Sequence, residues 1–75
     1  MSDAWNTENP WLIQSPGVLR LNSTSITIER CARHAPIMWM VMHQGIRLRA
    51  ALSLSDAKEY ALKEVHTLIE VGIEP

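Results

Sequence analysis

Between Ile37 and Leu52 the chain runs through two stretches of β-forming residues divided by the dipeptide Gln44-Gly45. A two-residue loop carrying a glycine closes a tight hairpin, because such loops use backbone dihedrals that glycine reaches without steric cost. That loop sets a register. His43 is expected opposite Ile46, Met42 opposite Arg47, Val41 opposite Leu48, Met40 opposite Arg49, Trp39 opposite Ala50 and Met38 opposite Ala51. Alternation then puts Ile37, Trp39, Val41, Ile46, Leu48, Ala50 and Leu52 on one face, which has the composition of a core. Met38, Met40, Met42, Arg47, Arg49 and Ala51 fall on the other. A slip of one residue would carry an arginine to the core face, so the regular register is the expected one.

Upstream, Val18-Leu19-Arg20-Leu21-Asn22 and Ile26-Thr27-Ile28-Glu29-Arg30 show the same period of two, with Leu19, Leu21, Ile26 and Ile28 inward. Ser15-Pro16-Gly17-Val18 has proline and glycine at the second and third positions of a type II turn. Asn22-Ser23-Thr24-Ser25 is turn chemistry as well. Trp11-Leu12-Ile13 reads as a short strand or a docked segment. Residues 1–10 read as a flexible N-terminal arm and residues 11–75 as one domain. The expected fold is α+β: a three- to four-stranded antiparallel sheet in β-β-β-β-α order, with one C-terminal helix packed on one face.

The helix is expected to start at Ser53, whose hydroxyl can cap the Asp56 amide, and to stop at Gly72 with Ile73 beside it. Ala57, Ala61, Val65, Leu68 and Ile69 recur at helical spacing, flanked by Leu54 and Leu62, while Lys58, Glu59, Lys63, Glu64, Thr67 and Glu70 face away. The two alanines allow close approach to a sheet, and the Trp39 indole is wide enough to fill the space they leave. The helix should therefore pack on the Trp39 face.

A chain of 75 residues supports one hydrophobic core. Its single cysteine, Cys31, excludes an internal disulfide framework, and no apolar run reaches the ~18 residues of a membrane span. A cytoplasmic location, away from membranes, is the expectation. The net charge of −1 conceals a division. All five arginines, Arg20, Arg30, Arg33, Arg47 and Arg49, lie in the sheet region with Glu29 as the only acid. The helical region carries Lys58 and Lys63 against Asp56, Glu59, Glu64, Glu70 and Glu74.

Little in the chain points to catalysis. Cys31 and His34 have the spacing of half a metal site, but the remaining histidines, His43 and His66, lie far apart in sequence, and zinc needs three or four protein ligands. A nucleophilic cysteine would further need an oxyanion donor and an orienting group. The helical carboxylates have the spacing of a solvated face, and Gly17, Gly45 and Gly72 are too scattered to cradle a phosphate. No catalytic residue, metal or cofactor is assigned, and the expectation is that the protein is not an enzyme.

The face carrying Met38, Met40, Met42, Arg47 and Arg49 is the informative feature. Either the segment from Trp5 to Ile13 folds over the methionines, or the sheet presents adaptable apolar side chains rimmed by arginine, the make-up of a protein-binding surface. We expect a non-enzymatic protein-binding module that works by occupying a partner's surface, with Trp5 or Trp11 as further anchors. In size and architecture it is similar to small phage or mobile-element inhibitors of bacterial protein complexes. A second copy of the chain could use the same face. The alternative partner is nucleic acid, contacted through Arg20, Arg30, Arg33, Arg47 and Arg49. In outline, strands followed by one helix resemble the small sheet-plus-helix DNA-binding arm domains of phage integrases, and this resemblance implies arginines laid against phosphates.

Overall fold

The computed structural model describes residues 10–33 and 36–75. The expected N-terminal arm up to Asn9, the proposed anchor Trp5, and His34 lie outside the described residues. Five strands, β1 (Trp11–Ser15), β2 (Val18–Leu21), β3 (Ile26–Cys31), β4 (Met38–His43) and β5 (Ile46–Ala51), precede one helix, α1 (Leu54–Glu70). The sheet is antiparallel with strand order β1-β2-β3-β4-β5, so each strand bonds only to its sequence neighbours. Trp11-Leu12-Ile13 is thus a strand of the sheet, not a layer over the methionines, and the sheet has one strand more than the upper end of the sequence expectation.

The turns follow from local chemistry. Gly17 sits at φ +77°, as the third position of a type II turn requires. Gln44 and Gly45 both adopt positive φ, +52° and +80°, the signature of a type I′ hairpin whose twist matches the flanking strands. At the β2–β3 turn the Thr24 hydroxyl donates to the Leu21 carbonyl at 2.8 Å and accepts from the Ile26 amide at 3.0 Å. Both exchanges are buried, which satisfies backbone groups that water does not reach.

The core lies between one sheet face and α1. Leu21, Ile26, Ile28, Val41 and Val65 are fully buried, with Ala57 and Ala61 letting the helix approach β3, β4 and β5. Trp39, Leu54, Tyr60 and Leu62 pack at the margin. The helix packs on the Trp39 face, as its alanine spacing predicts. Ser53 caps it, its Oγ accepting from the Asp56 amide at 3.1 Å. Replacing Ser53 with alanine leaves that amide without its side-chain acceptor, and a loss of about 1 kcal/mol is expected in urea unfolding. At the other end Gly72 takes φ +80°, its amide donates to Ile69 O at 3.1 Å, and the Ile73 amide donates to Leu68 O at 2.9 Å. This pair of bonds is the Schellman arrangement, which a left-handed glycine permits.

Beyond the cap the chain returns to the sheet. Ser25 donates its amide to Pro75 O at 2.6 Å, and Nε2 of the buried His43 lies 3.2 Å from the Glu74 carbonyl, which it can reach only as a donor. Among the described residues, no helix is long and apolar enough to cross a membrane.

The hairpin register departs from expectation. His43↔Ile46 and Met42↔Arg47 pair as predicted, but a bulge follows, and Val41 faces Arg49, Met40 faces Ala50 and Trp39 faces Ala51. Leu48 is the extra residue. Beyond the bulge each side chain of β5 changes face, so Ala51 becomes a core residue at 5% exposure while Ala50 and Leu52 are exposed. Arg49 moves to the helix side. The edge position makes this tolerable: its guanidinium stays at the rim, 4.0 Å from the centroid of the half-buried Tyr60 ring, where a cation–π contact replaces some of the lost hydration. Ile37 and Ile46, expected in the core, are exposed as well, at 40% and 65%.

Candidate interaction surface

The sheet face opposite α1 is built in cross-strand rows. One row is Leu12, Arg20, Thr27, Met42 and Arg47, the next is Val18, Glu29, Met40 and Ala50, and the third is Cys31 and Met38. These side chains share a face because directly paired residues of an antiparallel ladder point the same way. Met38, Met40 and Met42 are half-buried, neither sealed nor fully solvated. Among the described residues no helix or second sheet packs on this side.

Two hollows mark the surface, and they share Glu29 and Met42 as a common wall. One, of about 320 Å³, brings Arg33, Arg47, Met40 and Cys31 together, with Arg30 also on its lining. The other, of about 510 Å³, is lined by Arg20, Thr27, Gln14 and the Gln44-Gly45 turn. Arg20 is partly anchored, donating from its guanidinium to the Thr24 carbonyl at 3.2 Å. Four arginines therefore border the two hollows, against Glu29 alone. The acids Asp56, Glu59, Glu64 and Glu70 ride on α1, packed on the other side of the sheet.

Of the residues singled out from sequence, Met38, Met40, Met42 and Arg47 share this face, and Arg20, Arg30 and Arg33 border it. Arg49 does not join them, because the bulge at Leu48 turns it toward Tyr60 on the helix side. The five arginines thus do not form one patch. Arg30 occupies a strand position opposite Trp39, on the helix side, and reaches the hollow only at its lining. Trp11 lies on the helix side, away from the methionines, paired with Leu21 and packed against the core.

Glu29 and Cys31 also belong to the surface, though neither the methionine pattern nor the arginine distribution points to them. The signal was available: Ile26 and Ile28 inward place Thr27, Glu29 and Cys31 outward by the same alternation. The bulge had no comparable signal. Among the described residues no group of three or more His, Cys, Asp or Glu side chains could hold a metal ion. Compared with family models, curated proteins and solved structures, the chain matches none.

Proposed function

We propose that this protein is a non-enzymatic binding module that engages another protein through the sheet face opposite α1. The observation that supports the reading is the set of three half-buried methionines, Met38, Met40 and Met42, bordered by Arg20, Arg33 and Arg47 on a face that no helix covers among the described residues. Methionine adjusts its shape to an apolar partner at little cost, and arginine makes bidentate, charge-assisted bonds to carboxylates. Both residue types are enriched at interface centres. The excess of guanidinium groups over Glu29 specifies the partner's chemistry: an apolar patch flanked by aspartate or glutamate. Such a module works by occupying a surface that its partner needs.

The border arginines also favour a second reading, in which the ligand is nucleic acid and the contacts are phosphates. Salt separates the two, because each neutralised phosphate steepens the loss of affinity with ionic strength, whereas an interface centred on thioethers keeps most of its affinity. The test is affinity capture from the source cells with wild type, Met42→Glu and Glu59→Lys, followed by titration of the recovered partner against salt. Protein recovered with wild type and Glu59→Lys but not Met42→Glu, and retained at moderate salt, supports the proposal. Recovery of nucleic acid that is released as salt rises transfers the arginines to the alternative reading. Equal recovery of a protein by all three variants removes the methionine face from consideration.

A further inference from the structure

The sheet has two outer edges, β1 and β5, and they differ in kind. Edge β5 is blunted by the Leu48 bulge and by Arg47 and Arg49, the devices by which edge strands avoid pairing with other chains. Edge β1, Trp11-Leu12-Ile13-Gln14-Ser15, carries no charge. Ile13 is 82% exposed, the highest value among the large apolar side chains of the described residues, and Leu12 is 41% exposed.

The ladder between β1 and β2 shows which backbone groups are unused. Asn22 donates its amide to the Pro10 carbonyl at 2.7 Å, so position 10 is turned toward β2. Antiparallel strands alternate, which turns Leu12 toward β2 as well and leaves the N–H and C=O groups of Trp11 and Ile13 directed away from the sheet. Among the described residues no strand lies beside them. The bulge at Gln14 ends the regular edge at Ile13.

We propose that this edge pairs with the same edge of a second copy, about a two-fold axis at Leu12. This register follows from the three-residue regular segment: Leu12 faces Leu12 of the other copy, and Trp11 of each copy faces Ile13 of the other. The outward groups of Trp11 and Ile13 then exchange hydrogen bonds, and the aromatic–β-branched pairs are ones that stabilise sheets. The strand is complementary to itself and has no charge to repel its copy, whereas two β5 edges would bring arginines together. The two-fold pairing also closes, so it produces a dimer and no fibre. On the helix side a groove of about 350 Å³, lined by Ile13, Pro16, Leu19, Trp39 and Leu54, lies next to the edge. Trp11 of the second copy, seated against Ile13, would close its open flank.

The pairing leaves the methionine face free, so this dimer and the binding function stand or fall separately. The experiment is light scattering of the full chain across a dilution series, for wild type, Ile13→Lys and Met42→Glu, with amide hydrogen exchange read residue by residue. Expected are a concentration-dependent dimer in wild type and Met42→Glu, and a dimer Kd raised by about 30-fold or more in Ile13→Lys. Circular dichroism of Ile13→Lys should match wild type, because the replaced side chain is exposed. The Trp11 and Ile13 amides should exchange slowly in the dimer and fast after dilution. A wild-type monomer throughout overturns the proposal, as does a dimer that persists in Ile13→Lys or one lost in Met42→Glu. Slow exchange of both amides in the dilute monomer also overturns it, because the edge would then be covered from within the chain.

Discussion

Ile28→Ala is expected to leave the protein largely unfolded in dilute buffer. Ile28 has no exposed surface and sits in mid-sheet, paired with Leu19 on one side and Val41 on the other. Truncating a buried isoleucine costs about 2–5 kcal/mol, since transfer free energy is lost and the neighbouring strands cannot collapse into the cavity. A single core at this chain length rarely supplies more than about 3–5 kcal/mol in all. Far-UV circular dichroism and a urea titration would show the loss. Ile46→Ala is the matched control: the same truncation at 65% exposure should shift stability by about 1 kcal/mol or less. If the two variants melt alike, the core does not lie between β3, β4 and α1.

The largest effect on binding is expected from Arg47→Glu, set against Arg49→Glu. The two arginines are two residues apart on β5, and simple alternation would treat them alike. The bulge separates them, with Arg47 opposite Met42 on the proposed interface and Arg49 over Tyr60 on the helix side. Reversing Arg47 removes donors to the partner's carboxylates and opposes like charges, so a weakening of about 30-fold or more is expected, the scale of an interfacial hot spot. Reversing Arg49 should leave partner affinity unchanged, while loss of the Tyr60 contact lowers stability by about 0.5–1 kcal/mol. Calorimetric titration of the captured partner with both variants measures the difference. Equal weakening by the two variants would mean that the interface wraps the β5 edge instead of lying on one face.

Much of the fold was legible because strong local rules agreed with the tertiary outcome. Gln44-Gly45, Ser15-Pro16-Gly17 and the Ser53 and Gly72 caps each act over a few residues, and all four sit where turn and cap chemistry placed them. The alternation in β3 and β4 and the alanine spacing of α1 named most of the core. What failed was the far half of β5. A bulge inserts one residue for reasons of sheet curvature and edge packing, and a stretch such as Arg47-Leu48-Arg49-Ala50-Ala51 is consistent with either face assignment once one residue can be skipped. Tyr60 sits on a different element, α1, so nothing next to Arg49 in the chain announces their stacking. The candidate surface was legible to the same degree. The methionines depend on β4, whose register is regular against β3, and were placed together; Arg49 depends on the bulged strand and was not.

The strictly sequential strand order has a consequence for synthesis. Each strand can pair as soon as its predecessor exists, with no wait for a distant segment, so loop-closure entropy stays small and folding should be fast. The helix is translated after the sheet, however. Until Ala57, Ala61 and Val65 emerge, the growing sheet holds Ile26, Ile28 and Val41 without the cover that α1 provides, and the ribosome-bound intermediate is stickiest just before α1 arrives.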